Sequence, residues 1–317
     1  MKKIDPRNKT CIYLDQFVVS NLVDHPNDTW KEIRSMLEIN YSKNLLYCPL
    51  SHQHVLETAK KEINNAVIHD EYFRKLSDNY VFKNEIFLTS QLISSLIRGN
   101  RHTINTYLET SPFQSFNDCY SQINDVNKVF NESINYHVLS QNAIRKITNG
   151  KIEKKIENKF IEVIKNNEVE NFIERLEFCI KEKQIYIRPD NYGTHECPNW
   201  IDQLLFQLYH RHSFKENNFK QFLNELKING FNRIATLNIR FSLGAYLTVK
   251  HKQENVSDHI DIMRISNGLS ASDIFFTDKK RKFEIIELGL DKLYNTKIYC
   301  GVEKDLLDFN CYLQDLK

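Results

Sequence analysis

The sequence predicts an α/β protein in which a PARALLEL sheet flanked by helices is interrupted by an all-helical insertion. Three observations carry that expectation. Short apolar runs alternate with helically spaced segments near both ends of the chain. Those runs are apolar on both faces, as strands of a parallel sheet covered on two sides must be. Between residues 76 and 229 the apolar spacing is almost wholly helical. We therefore expect a discontinuous α/β domain from residues 1–75 and 230–317, with residues 76–229 as an insertion of unknown role.

The first strand is read from Thr10-Cys11-Ile12-Tyr13-Leu14, which ends at Asp15. Phe17 and Asn21, then Ile33, Met36 and Leu37, follow in helical spacing. A second run, Leu45-Leu46-Tyr47-Cys48, is closed by Pro49, and Ser51 is placed to cap a helix through Val55, Leu56 and Ala59. In the insertion, one helix carries Ile86, Phe87, Ile93, Leu96 and Ile97. A second carries Ile152, Ile156, Phe160, Ile161 and Ile164, and a third Trp200, Leu204, Leu205 and Leu208. Its one clear break is the turn-rich Arg188-Pro189-Asp190-Asn191-Tyr192-Gly193. The last stretch resumes the alternation with a helix through Ile234, Leu237, Phe241, Ala245 and Thr248. A helix over 258–265 stops near Asn267-Gly268. The strand Asp273-Ile274-Phe275-Phe276-Thr277 ends at Asp278, and a helix over 283–293, a strand over 297–300 and a closing helix through Leu306, Leu307 and Phe309 complete the pattern.

Composition narrows the class. With 41% apolar residues, 15 tyrosines and 20 phenylalanines, the chain can build a substantial core. The formal charge is only +2, so attraction to a polyanion must come from local clustering. The seven cysteines are scattered and form no CxxC pair, which points to buried free thiols and away from structural zinc. Residues 1–9 are polar and charged, and no run approaches the ~20 apolar residues that span a bilayer. We expect a soluble, cytoplasmic protein without a membrane partner. No GxxxxGK[ST] loop, GxGxxG turn or GxSxG elbow is present, which removes the commonest nucleotide-binding and serine-hydrolase readings.

The chemistry is carried by acids. Ligands of open parallel sheets bind outside the carboxyl ends of the strands, and Asp15 and Asp278 each follow an expected strand directly. Glu57 lies in the helix after the second strand. Asp258 and Asp261, three apart, share a face of the helix that leads to the Asp278 strand. Carboxylates that converge need a compensating charge. Oxygen donors without histidine or thiolate favour Mg²⁺ or Mn²⁺, and one or two such ions suit phosphodiester hydrolysis. Lys279, Lys280, Arg281 and Lys282 follow at once and would attract phosphate, although a run of cations is more often a solvated helix start. An isolated Asp after a strand is often only a cap or turn residue, as we expect for Asp273.

Other groupings are weaker. His54 and Glu57 have a spacing found in carboxylate-bridged metal sites, but no second copy accompanies them. His52 and His54 fit a helix's first turn. His210 and His212, or His195 with Cys197, have no complementary pair nearby. Residues 145–165 interleave seven basic side chains with an Ile/Phe stripe, the pattern of a solvated face; as a wall of a nucleic-acid channel they would act through Lys151, Lys154 and Lys155.

In these segments the chain resembles the PIN-like nuclease family. The matching stretches are Ile12-Tyr13-Leu14-Asp15-Gln16, Cys48-Pro49-Leu50-Ser51 leading to Glu57, Ser257-Asp258-His259-Ile260-Asp261-Ile262-Met263-Arg264-Ile265-Ser266, and Asp273-Ile274-Phe275-Phe276-Thr277-Asp278-Lys279. Together they span about half the chain, residues 1–75 and 230–317. The resemblance implies a PIN-like sheet with Asp15, Glu57, Asp261 or Asp258, and Asp278 as metal ligands. Thr277 would orient the attacking water or a neighbouring ligand. Asp261 has the family's usual distance to Thr277 and takes the primary position, with Asp258 second. Here Thr277 and Asp278 are adjacent, whereas many members place a residue between them. The implied activity is Mg²⁺/Mn²⁺-dependent nucleic-acid hydrolysis, on RNA more than DNA, in toxins, phage defence or RNA processing. The implied partners are RNA and an antitoxin or defence-complex protein. Two readings stand beside it: a catalytically inactive module that binds RNA or protein, and a DNase using the same site.

Overall fold

A computed structural model describes residues 9–24, 27–58, 61–110, 156–182, 200–250 and 252–316, with isolated positions between 132 and 145. The turn at 188–193, the pair His195 and Cys197, the helical position Ile152, and Lys151, Lys154 and Lys155 lie outside the described residues. The chain forms two compact units. One comprises Met1–Lys83, Thr103–Lys128 and Asn267–Lys317; the other comprises Asn84–His102 and Val129–Ser266.

The strands in chain order are β1 (Thr10–Leu14), β2 (Leu46–Tyr47), β3 (Leu50–Ser51), β4 (Tyr80–Phe82), β5 (Leu108–Thr110), β6 (Ile274–Phe276) and β7 (Lys297–Tyr299). All belong to the first unit, which is α/β. Its main sheet is parallel throughout and ordered β2-β1-β6-β7. Ile12, Tyr13 and Leu14 pair with Ile274, Phe275 and Phe276. The chain thus leaves β1 toward β2 and later returns to β1's other side at β6, so the order reverses between β1 and β6.

Burial follows the pleat. Ile12, Leu14, Ile274 and Phe276 face a core shared with Trp30, Ile33 and Leu37 of helix Asp28–Ser42 and with Leu306, Phe309 and Leu313 of helix Glu303–Asp315. Alternate residues meet on the opposite face, where the Tyr13 ring stacks on Phe275 at 4.2 Å and on His54 at 5.3 Å. Gly268 comes so close to this stack that a Cβ there would lie 3.0 Å from Phe275 Cε2 and 3.4 Å from Tyr13 Cδ2. Asn40, nearly enclosed, donates to the Leu313 carbonyl at 2.6 Å and joins the two helices of the first face.

Two details depart from the expected elements. Residues 80–82 and 108–110, expected in helical surroundings, form the antiparallel pair β4 and β5, with β3 parallel to β4. Runs this short, set among helically spaced residues, show no period of their own. The helix expected over 283–293 is instead two, Lys279–Glu287 and Leu290–Tyr294, because Gly289 between them adopts a left-handed φ of +66°.

The second unit is helical in its described residues. Its helices include Glu85–Ile97, Glu157–Lys181, Trp200–His210, Glu216–Asn229, Ala235–Val249 and most of Val256–Gly268. Phe172 packs edge-on against Phe222 and Phe231, and Phe231 stacks on Phe241 at 4.7 Å. Residues 230–266 belong to this unit and not to the sheet. Among the described residues no helix is long and apolar enough to cross a membrane. Cys11, Cys48, Cys179 and Cys300 are buried free thiols and Cys311 is an exposed one.

Candidate active site

The carboxyl ends of β1 and β6 flank the point where the strand order reverses, which is where open parallel sheets hold ligands. Asp15 follows β1 and is only 6% exposed. Its backbone N–H donates to the Phe276 carbonyl at 3.0 Å, which carries the ladder one residue past the strand. Its Oδ1 accepts from the Gln16 N–H at 2.7 Å, and its Oδ2 accepts from the Thr277 hydroxyl at 3.4 Å. Thr277, 2% exposed, is itself held by its N–H on the Tyr299 carbonyl at 3.0 Å. The end of β6 therefore orients the acid at the end of β1.

Asp278 is partly exposed and caps helix Lys279–Glu287, its Oδ1 accepting from the Arg281 N–H at 2.9 Å. Glu57 is partly exposed near the end of helix His52–Thr58. The next residue, Thr58, lies 3.3 Å from the Gln16 amide nitrogen, which ties that helix end to the residue after Asp15. At the start of the same helix, Ser51 Oγ accepts from the His54 N–H at 3.3 Å, and the Ser51 N–H donates to His54 Nδ1 at 2.9 Å. That donor requires Nδ1 to be unprotonated, so His54 carries its proton on Nε2. His54 thus caps and stacks, lying 4.6 Å from the Phe73 ring.

The run of four cations divides. Arg281 is completely enclosed and paired with Glu284, also completely enclosed, so its guanidinium cannot meet a phosphate without leaving its place. Lys282 pairs with Asp305 at 2.5 Å. Only Lys279 and Lys280 are exposed, so the expected phosphate attraction narrows to these two.

Asp305 escaped the sequence reading. It lies in the first turn of the helix after β7, and its Oδ2 accepts from the Cys300 N–H at 2.8 Å as well as from Lys282. Burial pushes this carboxyl up, but the Lys282 ammonium and the Cys300 bonds outweigh burial and hold it below the usual range. The strand-end rule that picked out Asp15 and Asp278 stops at Gly301 here; the available signal was an acid in the first turn of the helix after the strand over 297–300.

Asp258 and Asp261 lie in the second unit, and each has a local role. Asp258 Oδ2 accepts from the Asn255 N–H at 3.0 Å while Asn255 Oδ1 accepts from the Asp258 N–H at 2.8 Å, a reciprocal cap for helix Val256–Gly268. Asp261 lies 3.6 Å from Arg264, whose side chain is nearly enclosed. Asp273 Oδ2 accepts from the Cys11 N–H at 2.9 Å, clamping the start of β1 to β6, a firmer role than the turn residue expected. Arg145 and Lys165 are buried, Arg145 on Glu254 and Lys165 on Asn232, and so do not belong to a solvated basic face. His212 is buried against Ser90 at 3.0 Å, and His210 packs on Phe206.

The donors around Asp15 are hard oxygens, the chemistry that suits Mg²⁺ or Mn²⁺. Among the described residues, however, no three His, Cys, Asp or Glu side chains are gathered closely enough to hold a metal. No protein-family model, curated protein or solved structure matches the chain.

Proposed function

We propose that the carboxyl edge of β1 and β6 is a hydrolytic site for phosphodiesters, and that the protein is a PIN-like, Mg²⁺- or Mn²⁺-dependent nuclease acting on RNA. One observation carries the reading: a buried carboxylate, Asp15, held by the Thr277 hydroxyl where the strand order reverses, with Asp278 beside that hydroxyl in sequence. Asp15 would hold the ion, and Asp278 and Glu57, which are not gathered with it, would have to close on the ion to complete the set. A bound divalent cation would supply charge neutralisation and an activated water. Thr277 orients Asp15 by its hydroxyl, and Lys279 and Lys280 attract the phosphate chain.

The test is cleavage of mixed RNA, and of the same sequences as single-stranded DNA, with and without Mn²⁺. Wild type is compared with Asp15→Asn and Asp278→Asn. Asparagine is as good an N-cap as aspartate, so Asp278→Asn removes charge and keeps the helix start. Loss of cleavage with an unchanged unfolding midpoint supports the reading, and equal activity in all three proteins sinks it. Asp261→Asn and Asp258→Asn, the third-acid positions implied by the family resemblance, are further arms. Preference for the DNA would mark a DNase using the same chemistry.

A second reading is a module that binds RNA or protein without cutting. It draws on the capping roles of Asp258 and Asp278 and the pairing of Asp261 with Arg264, which give these acids a structural reason to be present. Cleavage by none of the proteins, wild type included, favours it.

A further inference from the structure

We infer that the solvent face of helix Lys279–Glu287 is a docking surface for single-stranded nucleic acid, with Phe283 stacking on a base and Lys279 and Lys280 meeting backbone phosphates. The helix has two distinct sides. Arg281, Glu284 and Ile285 are fully enclosed. At about 100° per residue, Lys279, Lys280, Phe283, Ile286 and Glu287 fall on the opposite side, and all five are exposed, Phe283 at 60% and Ile286 at 44%. A large aromatic ring this open, one turn from two exposed ammonium groups, is the combination that binds single strands: cations follow the phosphates while the ring takes a base face.

Charge and position favour this occupant. Arg281 and Lys282 are held by Glu284 and Asp305, and the two exposed cations lie at the helix end next to Asp278, with Glu287 at the far end. From Asp278 to Phe283 is five residues, a rise of ~7.5 Å along the axis. That is roughly the span of two stacked nucleotides at ~3.4 Å each. Phe283 also lies about 140° around the axis from Asp278, with Lys279 between them, so a strand reaching from one to the other crosses the first turn past that ammonium group. A duplex keeps its bases stacked and paired and offers no such face.

The substrate class is that of the hydrolytic reading above, so binding is measured apart from cutting. The 317-residue chain in EDTA is titrated into a fluorescent RNA oligonucleotide, its single-stranded DNA counterpart and the corresponding duplex, at several salt concentrations. Phe283 is exposed, so Phe283→Ala should leave the fold intact; circular dichroism and an unchanged melting midpoint verify this. We expect Phe283→Ala to weaken single-strand binding about 5- to 100-fold and Phe283→Trp to preserve it. Lys279→Gln with Lys280→Gln should flatten the slope of log affinity against log salt by about 1.4, the share of two phosphate contacts on a single strand. Equal affinity of wild type and Phe283→Ala overturns the proposal, as does binding of the duplex as tight as that of the single strand. Concentration-dependent dimerisation that Phe283→Ala abolishes would assign the face to a second copy of the chain and equally overturn it. If Asp15→Asn and Asp278→Asn cleave like wild type while Phe283→Ala loses affinity, the hydrolytic reading falls and the binding face stands.

Discussion

Replacing Glu254 with Gln removes one charge from an enclosed ionic chain of the second unit. Glu254 Oε2 lies 2.8 Å from Arg145 Nη2 and Oε1 lies 3.5 Å from His259 Nδ1, with both carboxylate and guanidinium side chains under 5% exposed. On its other side, His259 Nε2 faces Arg240 at 3.4 Å, and Arg240 pairs with the buried Glu85. A guanidinium can only donate, so His259 Nε2 accepts and Nδ1–H points at Glu254. Burial alone would raise the Glu254 carboxyl; the His259 hydrogen bond and the Arg145 charge outweigh it and hold the group at about 2, against an ordinary 4.5. A carboxyl depressed on folding contributes stability that is complete above the unfolded value and is lost as pH falls through the folded one. The depression from 4.5 to about 2 corresponds to about 3 kcal/mol at neutral pH. Glu254→Gln forfeits this and leaves Arg145 enclosed beside a neutral partner, a loss of about 3–5 kcal/mol. The assay is urea unfolding followed by Trp200 fluorescence in a Trp30→Phe background. The stability gap between the parent and Glu254→Gln should narrow by about 2 kcal/mol between pH 6 and pH 3. A gap that is the same at both pH values refutes the reasoning.

Three further outcomes are expected. Gly268→Ala pushes a methyl into the Phe275–Tyr13 stack and should cost about 1–3 kcal/mol; an unchanged thermal midpoint would show that the stack yields freely. Asp258→Ala loses one half of the reciprocal cap with Asn255 and should destabilise by about 1 kcal/mol in urea, while Asp258→Asn retains an acceptor and most of that stability. Arg281→Met strands Glu284 in an enclosed place and should cost about 3–5 kcal/mol, largely recovered by adding Glu284→Leu, with single-strand affinity unchanged in the double variant. Weaker binding by that double variant would return Arg281 to the nucleic-acid surface.

The legible part of this protein is the part that local chemistry controls. β1, β2 and β6 could be read because their side chains are apolar on both faces, and β7 because Ile298, Tyr299 and Cys300, all buried, follow in sequence after an exposed Lys297. Asp15 and Asp278 could be placed because a residue that ends a strand has its backbone position set by that strand. Ser51 was readable as a cap for the same local reason. β4 and β5 were not readable, since each is a short run set among helically spaced residues and their pairing joins segments more than twenty residues apart.

Charged side chains mark the other limit. Lys279, Lys280, Arg281 and Lys282 are equivalent as a run of letters, yet two are exposed, one is held by Asp305 and one is fully enclosed with Glu284. Asp258 and Asp261 share a helical face in any reading, but their partners are Asn255 and Arg264. By itself the sequence determined the α/β class, the strands of the main sheet and the acids that end two of them, because apolar patterning and strand ends are short-range properties of the chain. Only the tertiary structure decided that Thr277 reaches Asp15 from the neighbouring strand, that Asp305 joins the same edge, and which cations still face solvent. Those outcomes depend on distances of a few ångströms between groups remote in sequence, where burial and neutralisation are settled by packing and not by residue type.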